Sequence, residues 1–160
     1  MKTSMVLPAL VLAATNAFAA TVPSQADWVD AKRFVTLPNG MQMAYVEMGN
    51  PEGNPVLMIH GYSDSSRTWS NVAPYLSDNR LLAIDLRSHG DSNTPECCHT
   101  LNDFANDASL FVSAMGLEKV DALGHSLVGM VSQAFAALHG DRVDNLVLLA
   151  TSLGKGETGG

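Results

Sequence analysis

The residues with the strongest claim to chemistry lie in Val120-Asp121-Ala122-Leu123-Gly124-His125-Ser126-Leu127-Val128-Gly129. A short apolar run leads into Gly-His-Ser, and a helix-forming run follows at once. A serine on such a strand-to-helix turn has its hydroxyl lifted clear of the backbone, with the next N–H groups facing whatever it attacks. That is a nucleophile elbow. The plain alternative is a helix N-cap serine.

A serine hydroxyl is a poor nucleophile at neutral pH and needs a histidine oriented by a carboxylate. After Ser126 the only histidine is His139. A helix between them would separate the two by about 20 Å at 1.5 Å per residue, which excludes His139 as the base. It reads instead as a residue favourable to the helix C-terminus. His60 and His125 flank the expected site but belong to turn segments, and His89 and His99 lie in a loop. Asp141 and Asp144 fall at the start of the last predicted strand, at the wrong end of a sheet. Asp64 and Asp85 lie nearer the site.

Positioning these residues requires strands whose carboxyl ends converge. Lys32 to Leu37 and Met41 to Met48 read as two strands joined by Pro38-Asn39-Gly40, since Asn-Gly is a strong hairpin turn. Pro55 to His60 is an apolar run without alternation, as expected of a strand buried on both faces of a parallel sheet. Thr68 to Leu76 reads as helical despite Pro74, and Arg80 to Leu86 as a strand. Leu101 to Met115 places apolar residues at steps of three and four, an amphipathic helix closed by Gly116. Lys119 to Leu123 is a strand, Ser126 to Leu138 a helix, and Val143 to Ala150 the last strand. The Gly-rich tail Thr151 to Gly160 reads as loose, and Thr21 to Ala31 as a polar surface lead-in. A leading antiparallel hairpin followed by strand–helix alternation implies an α/β fold with a mostly parallel sheet and flanking helices.

Three landmarks now stand in order, each at a predicted strand end: His60-Gly61-Tyr62, Asp85 to Ser92, and Gly124-His125-Ser126. In this order they resemble the α/β-hydrolase family over about Lys32 to Ser152, its N-terminal half. The resemblance implies a truncated α/β-hydrolase fold with Ser126 as nucleophile. The backbone N–H groups of Tyr62 and Leu127 would form the oxyanion hole, where losing one donor costs about 10²–10³ in rate. Two positions depart from the family pattern. Val128 stands where Gly-x-Ser-x-Gly has its last glycine, with Gly129 next, and Ser88 stands where glycine is common. In the family the acid and histidine follow on later strand-end loops, so a chain carrying only the first half would lack both. The last strand, Leu146 to Leu149, would then be an exposed apolar edge.

Composition bounds the remaining choices. The 160 residues are 46% hydrophobic and 16% charged, a globular balance sized for one domain. Lys2, the apolar run Met5 to Ala14 and Ala17-Phe18-Ala19 have the form of a secretory signal peptide over residues 1–19, leaving a partial hydrolase domain over 20–160. The run is short for a membrane span; the alternatives are an uncleaved anchor or a buried helix. The expected location is extracellular or periplasmic. Losing Lys2 would move the net charge from −7 to −8. With no basic run, nucleic acid is an improbable partner.

Cys97 and Cys98 are the only cysteines. They read either as thiols with partners elsewhere or as partly buried free thiols, adjacent cysteines bridging only with difficulty. No metal-ligand cluster or phosphate loop is visible, and no cofactor is expected. The leading expectation is a secreted serine hydrolase acting on small carboxylic esters or related acyl compounds. The alternatives are a non-catalytic binding protein on the same scaffold, or a relative of the perhydrolases and cofactor-free haloperoxidases, which share the serine triad. Epoxide hydrolases and dehalogenases of the family use an aspartate nucleophile, which serine at 126 disfavours. Oligomeric state is not legible.

Overall fold

The Asn39-Gly40 turn closes the first hairpin. Gly40 adopts the left-handed φ of 82°, its N–H donates to the Leu37 carbonyl at 2.9 Å, and Leu37 N–H donates to Met41 O at 2.8 Å. The turn sets β1 (Arg33–Thr36) antiparallel to β2 (Gln42–Gly49), in register from Arg33↔Tyr45 to Thr36↔Gln42. The computed structural model describes residues 21–126 and 129–152. The proposed signal peptide, Leu127, Val128 and most of the glycine-rich tail lie outside the described residues.

The sheet continues through β3 (Pro55–Ile59), β4 (Arg80–Ile84), β5 (Val120–His125) and β6 (Val143–Leu149) in the order β1-β2-β4-β3-β5-β6. β2 meets β4 antiparallel, while β4–β3, β3–β5 and β5–β6 are parallel. The expected architecture is present: a mostly parallel sheet with a leading hairpin and helices. α1 (Leu101–Ala114) and α2 (Gly129–Leu138) are the crossover helices.

β3 shows why an apolar run without alternation signals a central strand. Leu57 and Ile59 point to the layer built by α1 and α2, among Phe111, Val131 and Phe135. Val56 and Met58 point the other way, to Trp28, Trp69 and Ala73. α1 is fixed at both ends. Thr100 and Asp103 form a capping box at its start. At its end Gly116, with φ of 68°, donates to Ser113 O and Leu117 N–H donates to Val112 O, both at 3.0 Å, the bond pair of a Schellman motif.

Three expectations need correction. The helix expected over Thr68 to Leu76 is two 3₁₀ turns, Ser66–Asn71 and Ala73–Leu76. Pro74 has no N–H to continue an α-helical ladder, so the chain restarts at Ala73. The polar lead-in also hides a core residue. Trp28 is fully buried and donates from Nε1 to Ser66 Oγ at 3.1 Å, which satisfies the indole inside an apolar layer. Finally, Cys97 and Cys98 are neither buried thiols nor left with partners elsewhere. They are exposed and bonded to each other, on a loop that turns tightly with Cys98 at a φ of 73°.

Candidate active site

β5 ends at His125, and the next residue turns the chain. Ser126 holds a φ of 63°, a left-handed conformation that costs a non-glycine residue about 1–3 kcal/mol and persists where its surroundings impose it. Those surroundings are two close approaches. A Cβ on Gly61 would lie 3.2 Å from Ser126 Cβ and 3.3 Å from His125 Nδ1, so the loop after β3 rests directly on the serine. Behind the turn, a Cβ on Gly124 would collide with Ser132 and lie 3.3 Å from the Gly129 Cα. A Cβ on Gly129 would in turn collide with Thr151. The close packing of helix on sheet that Val128 placed in question is therefore made by Gly129, one residue later.

Tyr62 follows Gly61 on the same loop. Its side chain is 69% exposed, and among the described residues no protein acceptor takes its N–H. Leu127, the other expected donor, lies outside the described residues.

His60 anchors this loop. Leu86 N–H donates to Nε2 at 3.1 Å, which leaves the ring proton on Nδ1, donating to the Gly61 carbonyl at 2.7 Å. Burial pushes the imidazole down to about 4, against the opposing effect of the Gly61 bond. The ring is thus a neutral clamp between the ends of β3 and β4, with the wrong hydrogen bonds for a base.

Asp85 is a second anchor. Fully buried, it accepts from Ser66 N–H at 2.7 Å, from Asp91 N–H at 2.9 Å and from the Lys32 ammonium. Burial alone would raise its carboxyl. The Asp91 N–H, Lys32 and Ser66 together hold it below the usual carboxylate range. A Cβ on Gly90 would run into this carboxylate, which is why the loop needs glycine there. Asp85 is fully committed to architecture.

His89, His99 and His139 are also occupied. His89 Nδ1 donates to Arg87 O at 2.8 Å, and His99 Nε2 meets Ser88 Oγ at 2.8 Å. His139 Nε2 meets Asn106 Oδ1 on α1 at 2.8 Å, at the far end of α2. His125 packs its ring 6.3 Å from Trp69, and its buried Nδ1 has no partner among the described residues. Asp144 lies beside Lys119 at 3.3 Å, at the end of the strands opposite Ser126. Among the described residues no histidine or carboxylate hydrogen-bonds Ser126.

A cavity of about 560 Å³ is lined mainly by apolar groups that include Leu86, Leu101, Phe104 and Met130, together with Tyr62 of the loop after β3. Sequence reasoning missed one structural pair next to it. Arg87 holds Asp107 with two bonds of 2.6 Å, and Asn39 of the hairpin turn reaches the same carboxylate at 2.8 Å. The signal was present: Asp107 sits on the buried face of α1, between Phe104 and Phe111, where a carboxylate requires a cation.

A strand-end serine at left-handed φ, under a glycine loop and beside a crossover helix, defines an α/β-hydrolase type of site. Residues 54–157 match the profile of the alpha/beta hydrolase fold, and the chain belongs to the α/β-hydrolase family. It is 37% identical over 112 residues to a soluble epoxide hydrolase of Corynebacterium sp. (strain C12), covering 69% of this chain and 38% of that protein. It is 36% identical over 106 residues to a serine hydrolase-like protein of Danio rerio, covering 64% and 32%. A crystal structure of a hydrolase from Pseudomonas aeruginosa superposes with a TM-score of 0.72 at 29% identity, over 78% of this chain and 48% of that one. The chain thus spans less than half the length of each of these relatives.

Proposed function

We propose that Ser126 is the nucleophile of a serine hydrolase acting on small carboxylic esters or related acyl compounds. The observation that carries this reading is the left-handed Ser126 at the end of β5 with Gly61 packed on its Cβ. Tyr62 follows Gly61 on the loop packed against Ser126, which supports its N–H as a donor to the substrate. As the hydroxyl oxygen adds to an ester carbonyl, negative charge moves to the carbonyl oxygen, and N–H donors of Tyr62 and Leu127 would stabilise it. The apolar cavity next to Tyr62 suits the acyl or alcohol portion of such a substrate. In this reading the acid and histidine come from sequence beyond these 160 residues, and residues 1–19 direct secretion.

The name of the Corynebacterium relative raises epoxide hydrolysis as a competing chemistry. The family's epoxide hydrolases use a carboxylate nucleophile, and the elbow here carries a hydroxyl. A non-catalytic scaffold is favoured by one observation, the lack of any base beside Ser126 among the described residues.

Fluorophosphonate labelling separates these readings. In protein carrying the family's full length, label should map to Ser126 and vanish in Ser126→Ala; label retained by the variant refutes the assignment. The 160 residues alone should turn over a p-nitrophenyl ester no faster than the residual about 10³–10⁴ over water left when a triad member is missing.

A further inference from the structure

The Cys97–Cys98 bond lies outside the machinery described above, yet it sits where it can act on it. Both residues are exposed, on the loop between β4 and α1. The Cys98 carbonyl accepts from Arg87 Nη1, while the other guanidinium nitrogens hold buried Asp107. The next residue, His99, meets Ser88 at 2.8 Å, and both line the apolar cavity beside Tyr62. Thr100, after that, caps α1. The bonded pair is therefore tied on one side to a buried ion pair and on the other to a cavity wall and a helix cap.

We propose that Cys97–Cys98 is a thiol-exchange site, and that its reduction by a low-molecular-weight thiol releases His99 from the cavity wall. An incoming thiolate attacks one sulfur, the Cys97–Cys98 bond breaks, and a mixed disulfide forms. A second thiol then displaces the first, leaving two protein thiols and one small-molecule disulfide. Two electrons and two protons pass to the protein. Access governs such exchange, and exposed disulfides are the labile, regulatory ones. Bonding of neighbouring cysteines closes a small ring that includes the backbone between them, so it holds Cys98 at its positive φ. With the ring open, a non-glycine residue favours the right-handed or extended regions. The Cys98 carbonyl then turns from Arg87, and the chain entering His99 and Thr100 turns with it. Arg87 keeps Asp107, so the fold persists while the wall moves.

The test uses the folded 160-residue protein and reduced glutathione. Without glutathione, iodoacetamide should add nothing. After native incubation with millimolar glutathione, both cysteines should carry a carbamidomethyl group. Amides over residues 97–102 should exchange about tenfold faster, as expected of a locally opened segment, and the His99 ring resonances should shift while those of His139 stay put. Cys97→Ser/Cys98→Ser should show the fast exchange without glutathione and no response to it. Alkylation before reduction, a thiol-linked dimer, or cysteines reducible only after denaturation would each overturn the proposal. So would a reduced protein with unchanged exchange and an unmoved His99 signal.

Discussion

β3 and β6 are both parallel, both apolar in sequence and both neighbours of β5, yet they have opposite surroundings. β3 lies between β4 and β5 with four of its five residues buried. β6 pairs only with β5 among the described strands, and Leu146, Val147 and Leu149 remain 37–47% exposed. An apolar run states how much burial a strand needs, and the neighbouring elements decide whether it is met. The same contrast divides the site. The loop of β3 is braced by His60 and packed against Ser126, whereas among the described residues the β6 side contributes Thr151, packed on Gly129.

The contrast can be broken most directly by truncating one leucine on each strand. Leu57→Ala should cost about 4 kcal/mol, the range for a fully buried leucine in a tight core, while Leu149→Ala, at an exposed position, should cost under about 1 kcal/mol. Urea unfolding of both variants provides the comparison, and equal losses would abolish the distinction between the strands.

His60 should make the β3 side sensitive to acid. Its folded pKa lies at about 4 instead of 6.5, so between those values the unfolded chain binds a proton that the native chain refuses. Stability from this group is complete above pH 6.5, falls as pH drops toward 4, and levels off below. The full change is roughly 3 kcal/mol, at about 1.4 kcal/mol per pKa unit. His60→Asn should flatten that part of the stability–pH curve; an unchanged slope would assign the acid sensitivity to other groups.

The smallest effect belongs to the edge. Val147→Lys should alter unfolding stability by less than about 0.5 kcal/mol, as at an exposed site, while lowering self-association in sedimentation, because charge blunts an unpaired strand edge. A large destabilisation would mean that β6 is covered after all.

What the sequence revealed follows the same division. Residues that make local structure were legible: the Asn39-Gly40 turn, the Gly116 stop and the unalternating β3. The Gly-His-Ser turn was legible because its conformation depends on adjacent residues. Long-range polar pairings were not. Lys32 with Asp85, Arg87 with Asp107 and Trp28 with Ser66 join positions far apart in sequence, and no local spacing records them. The bonded cysteines were missed for the opposite reason, since the outcome turns on one backbone angle at Cys98. Gly129 stood in view, but its role needed Thr151 opposite it.

The strand order also has a history in time. β3 receives one partner from Arg80–Ile84 and the other from Val120–His125, both made after it. During synthesis Pro55-Val56-Leu57-Met58-Ile59 therefore leaves the ribosome with two bare edges and two greasy faces. It waits longest for cover of any central segment, which makes it the stretch that a chaperone gripping extended apolar peptides would hold first.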